Sequence, residues 1–320
     1  MFSYWKSVIL GKEVQREEIN QPPPLLDTPW RELKFTKEVR TELFEDIKKY
    51  TTKTDDVEQP RILLIGQIKA GKSSFFNSVN SVFKGYPVFQ ATVRETGGSM
   101  TKHCRTYRVY DSNDEKLPFT FCDIMGLEPY NDKGIIVKDI INVIKGYIPD
   151  NYKFDPTEAK EICMTCTEQP SLADKVHCIV YVIDANAVSL WNNELQNKFE
   201  EILEEAHRLG IPQLVMLTKV DLACNFVKED LTKVYQSRYI QELAIKVSQM
   251  VGVPVSSVLP VRNYWFETDL NMKVDILILK ALQTILRQAG AFFDEVKQRG
   301  NSREAPPLNC EGISCNISNS

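Results

Sequence analysis

From residue 61 onward, apolar positions follow two alternating rhythms. Short, branched runs at Arg61–Gly66, Cys104–Tyr110, Phe119–Asp123, Val176–Asp184, Gln213–Thr218 and Ser257–Val261 predict buried strands. Between them, apolar residues at helical spacing predict helices over Ser74–Ser81, Gly134–Lys145, Asn193–Leu209, Arg238–Val251 and Val274–Gly290. Strands alternating with helices argue for an α/β, three-layer fold, with a mainly parallel six-stranded sheet covered on both faces. Asp111–Pro118 is polar, turn-rich and short enough for a hairpin, so the second and third strands should pair antiparallel. In the last helix Ile276, Leu279, Leu282 and Leu286 share a face, which predicts a core-facing cover and not a membrane span.

Ahead of this block, residues 1–28 read as weakly structured, and Pro22-Pro23-Pro24 marks a boundary. Lys37–Tyr50 is an expected helix with Val39, Leu43, Phe44, Ile47 and Tyr50 on one face. The simplest use of that stripe is docking on the main domain, and an intermolecular contact is the alternative. Thr51–Pro60 is a polar linker. Asn301–Ser320 is polar, contains Pro306-Pro307 and is expected to stay disordered. The expected organisation is an N-terminal extension with a docking helix over 1–55, a main domain over 56–299 and a tail over 300–320.

Chemistry enters between the first strand and the first helix of the main domain. Gly66-Gln67-Ile68-Lys69-Ala70-Gly71-Lys72-Ser73 fits G-x-x-x-x-G-K-[ST] at every fixed position. Glycines there let successive backbone N–H groups curl around phosphate oxygens, and a helix N-terminus adds favourable potential. Gly66, Lys69, Ala70, Gly71, Lys72, Ser73 and Ser74 are therefore the expected phosphate cradle. Lys72 would reach the terminal phosphates, and the Ser73 hydroxyl would ligate Mg²⁺.

Two later motifs choose among P-loop proteins. Asp123-Ile124-Met125-Gly126 is a D-x-x-G directly after an apolar strand. Asp123 could hold Mg²⁺ through water, and the Gly126 N–H could read a γ-phosphate. Thr218-Lys219-Val220-Asp221 fits [NT]-K-x-D. A carboxylate at Asp221 accepts two hydrogen bonds from guanine N1–H and N2, which adenine cannot offer, while the Lys219 stem lies along the ring. The chain is thus read as a P-loop GTPase fold binding GTP or GDP with Mg²⁺. The first-switch threonine should lie between the first helix and the second strand. Thr101 is preferred, Thr96 is its rival and Thr92 also qualifies. The base-proximal loop would be Val261-Arg262-Asn263-Tyr264, with Asn263 as a candidate contact.

Composition narrows the class without changing it. In 320 residues the net charge is −4 and 43% of positions are apolar, with no basic stripe of the kind nucleic-acid binding leaves. MFSYWKSVILGKE is read as lacking a secretory h-region and a myristoylation glycine, and no apolar stretch is expected to reach membrane-spanning length. Eight cysteines and three histidines offer one CxxC, Cys163 and Cys166, with no second ligand pair for zinc. A reduced, cytoplasmic protein is the expectation.

The run RILLIGQIKAGKSSFFNSVNSVFKG resembles the interferon-induced protein 44 family. So do Asp27-Thr28-Pro29-Trp30-Arg31, Ser171-Leu172-Ala173-Asp174-Lys175-Val176-His177-Cys178 and TKVD, and the likeness runs from about Pro29 to Gly290. That resemblance implies a cytoplasmic, interferon-inducible guanine-nucleotide-binding protein of antiviral innate immunity, with a Ras-like or dynamin-like GTPase fold. Longer members carry a TLDc-type domain ahead of this part. With sixty residues before Arg61, this chain is expected to be a short member without it. The Ser99-Met100-Thr101-Lys102 segment also resembles the first switch of immunity-associated GTPases.

Hydrolysis needs an oriented water. Where Ras-type enzymes place glutamine, this chain has Leu127, followed by Glu128 and Pro129. Three readings stay open: Glu128 or another polar group substitutes, a second copy completes the site in a nucleotide-dependent homodimer, or turnover is slow and the bound state is the signal. Arg94 is either an internal arginine finger or a solvated loop residue. A scaffold with a vestigial nucleotide site is the competing function, and a dynamin-like assembling enzyme ranks last. A host or viral protein partner is unspecified, and the segment 127–175, with Tyr130, Tyr147, Pro149, Tyr152, Phe154 and Pro156, is its candidate surface or else packs on the sheet edge.

Overall fold

A computed structural model of the chain describes residues 24–89, 103–129, 134–154 and 169–303, with side chains through 299. The strands are β1 (Arg61–Ile65), β2 (Arg105–Tyr110), β3 (Lys116–Asp123), β4 (Cys178–Asp184), β5 (Gln213–Thr218) and β6 (Val258–Val261). The helices are α1 (Lys37–Lys48), α2 (Lys72–Lys84), α3 (Val137–Ile144), α4 (Asn193–Arg208), the short turns α5 (Val220–Ala223) and α6 (Asn225–Glu229), α7 (Arg238–Val251) and α8 (Met272–Arg303). Short 3₁₀ turns at Leu172–Asp174, Val188–Leu190, Leu231–Tyr235 and Val255–Ser257 fill the connections.

The six strands form one sheet in the order β2-β3-β1-β4-β5-β6. All neighbours run parallel except β2 and β3, which pair antiparallel with Arg105 opposite Asp123. This is the mixed sheet that the two rhythms predict. The hairpin turn is set by Asp111, whose Oδ1 accepts the backbone N–H of Asn113 at 2.8 Å and of Glu115 at 3.0 Å. The central strands β1 and β4 are buried on both faces, and helices cover each side. α1, α2 and α8 pack together on one face; α3, α4 and α7 lie on the other.

Several ends differ from expectation. α2 starts at Lys72 and continues to Lys84, longer than Ser74–Ser81, because Val82 and Phe83 also find the core before Gly85 ends the helix at φ +81. α8 begins at Met272 and runs through Arg303, past Gly290 and into the expected tail. Phe292 and Phe293 are buried beyond that glycine, so packing outweighs its weak helix propensity. Residues 304–320 lie outside the described residues.

The expectation that no stretch reaches spanning length is also corrected. Met272–Arg299 is long and apolar enough by composition, but 67% of its most apolar window is buried inside the fold. A core cover helix passes the same test as a membrane helix. The N-terminal reading changes too, since residues from 24 onward are pinned. Arg238 N donates to Pro24 O, Leu26 N donates to Gln236 O and Trp30 N to Tyr235 O. Arg31 donates to the carbonyls of Val258 and Val255, both at 2.9 Å, and its guanidinium lies over Trp30 and Tyr235.

Candidate nucleotide site

Five strands of the sheet are mutually parallel, so their carboxyl ends open on one edge, the usual ligand edge of such sheets. To that edge the chain brings the P-loop after β1, Asp123 at the end of β3, Asp184 at the end of β4, Thr218 at the end of β5, and Arg262 with Asn263 after β6.

The P-loop turns into α2 at Gly71, whose φ of +104° excludes most side chains. A Cβ there would also stand 3.1 Å from Asn263 Nδ2. Lys69, at φ 66°, is a left-handed non-glycine residue in the same loop. The buried Lys72 amine donates to Gly66 O at 2.9 Å and Gln67 O at 3.0 Å. Burial lowers its pKa from the ordinary lysine value, while the charges of Asp123 and Glu128 pull the other way.

Ser73 Oγ donates to Asp123 Oδ2 at 3.0 Å. The second Asp123 oxygen, Oδ1, is buried with no hydrogen-bond partner, and burial raises this carboxyl's pKa against the opposing pull of Lys72 and Ser73. A hydroxyl beside an orphaned carboxylate oxygen is hard-oxygen chemistry that suits Mg²⁺. Among the described residues no cluster of three His, Cys, Asp or Glu side chains makes an independent metal site.

The D-x-x-G segment lies directly on the cradle. Leu127 N donates to Gly66 O at 3.0 Å, and Leu127 pairs with Gln67 as an isolated parallel bridge. A Cβ on Gly126 would fall 2.7 Å from Ile68 N, so only glycine permits this approach. Leu127 itself is fully buried, and a leucine side chain there cannot orient water.

The T-K-x-D segment meets the P-loop from the other side. Thr218 Oγ1 lies 2.6 Å from Ala70 O and 3.1 Å from Ile183 O. Lys219, left-handed at φ 57°, donates from Nζ to Lys69 O at 2.9 Å and to Asp184 Oδ2 at 2.6 Å. Asp221 follows in the first turn of α5, and Arg262 Nε stands 3.5 Å from its Oδ2. Asn263 Nδ2 donates to Gly71 O at 3.3 Å.

The structure therefore brings Gly66, Lys69, Ala70, Gly71, Lys72, Ser73, Asp123, Gly126, Thr218, Lys219 and Asn263 into one connected site, and Asp221 follows Lys219 in the first turn of α5. Ser74 lies in the first turn of α2, its carbonyl accepting from Ser78 Oγ. Thr92, Arg94, Thr96 and Thr101 lie outside the described residues, as do Cys163, Cys166, Tyr130 and Pro156. Part of segment 127–175 packs on the sheet. Ile140 and Ile144 are fully buried, and Asn151–Lys153 runs beside the start of β2, with Asn151 N bonded to Cys104 O and Cys104 N to Tyr152 O.

Sequence reasoning missed Asp184, Arg262 as an acid partner, and Glu267. Asp184 had a usable signal, since it ends an apolar strand as Asp123 does. It also missed an open cleft of about 470 Å³ lined by Tyr86, Phe89, Trp265, Phe266 and Glu267, because its two walls are 176 residues or more apart in sequence.

A family model described as 50S ribosome-binding GTPase matches residues 61–219. Interferon-induced protein 44-like of Homo sapiens is 37% identical over 81% of this chain and 58% of its own length. Interferon-induced protein 44 of Homo sapiens is 34% identical over 88% of this chain and 64% of its own. The chain thus spans about three fifths of the length of these curated relatives. Among solved structures, the crystal structure of a probable GTP-binding protein engB matches 72% of this chain and 98% of its own, at 14% identity and a TM-score of 0.38.

Proposed function

The chain is a homologue of the interferon-induced protein 44 family over most of its length, and from that premise we propose that it is a guanine-nucleotide-binding switch with slow intrinsic GTP hydrolysis, acting in the interferon-induced antiviral response of the cytoplasm. The observation that carries this reading is the contact between the two motifs. Thr218 is hydrogen-bonded to the Ala70 carbonyl and Lys219 to the Lys69 carbonyl, so the carboxylate of Asp221 is held at a fixed offset from the phosphate cradle.

In this reading the backbone of 66–73 and the α2 N-terminus bind the phosphates. Lys72 neutralises the terminal ones once its amine leaves the two carbonyls it now serves. Ser73 and Asp123 are the residues that would hold Mg²⁺, which when bound neutralises charge between the β- and γ-phosphates. Gly126 offers its N–H toward the γ-phosphate side. Slow turnover follows from Leu127, which is buried where a polar group would otherwise position water. A second copy supplying that group in a nucleotide-dependent homodimer is part of the proposal.

The test is nucleotide analysis of purified protein, followed by turnover against protein concentration. Retention of GTP or GDP in preference to ATP, lost in Lys72→Ala, is the expected result; equal retention of ATP, or none of either, would remove it. A rate per molecule that rises with concentration would point to the dimer. A second reading, a host-defence scaffold with a vestigial nucleotide site, is favoured by one observation: the Lys72 amine is already satisfied by loop carbonyls. It expects Lys72→Ala to leave recruitment of a host or viral partner intact.

A further inference from the structure

We propose that Tyr264 and Asp275 are positioning residues of the nucleotide site, holding the loop after β6 against the phosphate cradle, and that α1 acts on this hold through Arg40. The proposal rests on the nucleotide-binding reading above and adds a control point to it. Residues 262–271 join β6 to α8, and two of them tie the loop to the P-loop and α2. Asn263 Nδ2 donates to the Gly71 carbonyl at 3.3 Å, and its Oδ1 is buried with no hydrogen-bond partner, an acceptor left open beside the cradle. Tyr264 N donates to Ser78 Oγ at 2.8 Å, and that hydroxyl donates to the Ser74 carbonyl in the first turn of α2 at 2.7 Å.

The far end of Tyr264 anchors this arrangement to another part of the fold. The side chain is buried, and its hydroxyl donates to Asp275 Oδ1 at 2.6 Å while accepting the Asn271 N–H at 2.6 Å. Burial and the Asp275 charge push the phenol's pKa up, which keeps the proton on Tyr264 for that bond. The other Asp275 oxygen, Oδ2, accepts from Arg40 Nε of α1 at 2.7 Å. Asp275 is 1% exposed, so the two donors offset the cost of burying its charge, and loss of either leaves it under-compensated. Without Arg40 the carboxylate turns toward other donors, Tyr264 loses its fixed acceptor, and Asn263 loses its hold on Gly71. Arg40 and Asp275 both lie outside residues 61–219, the part matched by the GTPase family model, so this control is added to that domain from its flanks.

The experiment is the release rate of N-methylanthraniloyl-GDP from the full chain with Mg²⁺, chased by excess GDP, in the native protein, Arg40→Ala, Tyr264→Phe and the double variant. Thermal unfolding midpoints certify folding, and Arg40→Gln replaces Arg40→Ala if the latter does not fold. Each single variant should release the nucleotide about 5–10-fold faster. Because both act through one carboxylate, the double variant should be no more than about threefold faster than the faster single. Ile202→Ala, a core truncation in α4 on the opposite face of the sheet, should lower the unfolding midpoint yet leave release within about twofold of native. Folded single variants within about twofold of native, single effects that multiply in the double, or an Ile202→Ala release as fast as theirs would overturn the assignment. Failure of the native protein to bind the analogue would instead sink the nucleotide reading beneath it, so the two failures are told apart.

Discussion

His177 shows how one side chain can tie three parts of the fold and fix its own charge. Its Nδ1 accepts the Arg61 N–H at 2.8 Å, so Nε2 must carry the proton that it donates to Leu172 O at 2.8 Å. Phe293 of α8 lies 4.8 Å from its ring. Burial pushes its pKa down to about 4 from the ordinary 6.5. The unfolded chain then binds more protons than the folded one between those values, so stability falls as pH drops through that window. The loss by pH 4 should be about 3 kcal/mol from this residue alone. Urea unfolding at pH 7 and pH 4.5 checks it, and His177→Asn should flatten the part of the acid loss that carboxylates do not cause. At this scale legibility was uneven. The placement of Asp123 beside Ser73 and of Thr218 beside the P-loop was readable because a motif names both residue and spacing. Asp184, Arg262 and Glu267 were not, because their roles arise from partners that only folding brings near.

Among the elements, α1 and α8 form the most consequential pair outside the sheet. Ile47 is 1% exposed and Leu43 is 5% exposed, while Phe44 stacks on Phe83 of α2 at 4.7 Å. Arg40 pairs at 2.7 Å with the buried Asp275 of α8, which also accepts from the Tyr264 hydroxyl at 2.6 Å. One carboxylate thus couples α1 to the loop that carries Arg262 and Asn263. Ile47→Ala should cost about 2–5 kcal/mol by equilibrium unfolding, since the cavity would open between helices that cannot both relax. The apolar stripe of α1 was visible in sequence through its spacing. The full extent of α8 was not, because local propensity at Gly290 argued for an end, whereas distant burial of Phe292 and Phe293 kept the helix going.

For the molecule as a whole, alternating strands and helices were enough to anticipate a mixed sheet with one antiparallel pair, since a parallel connection demands a crossover and a short polar turn forbids one. The strap formed by Pro24 to Arg31 could not be anticipated. Its hydrogen bonds run to Tyr235, Gln236, Val255 and Val258, and nothing in its own composition announces a partner two hundred residues away. That strap lies against Tyr235–Arg238 and Val255–Val258, while α1 packs along the closing helix α8. The connection 51–60, with Lys53 exposed and bridged to the exposed Asp294, joins α1 to β1. A protease that severs the backbone at Lys53 should leave a nicked but intact particle. The two fragments should co-elute in native buffer and part only in denaturant, as in a two-chain protein made from one.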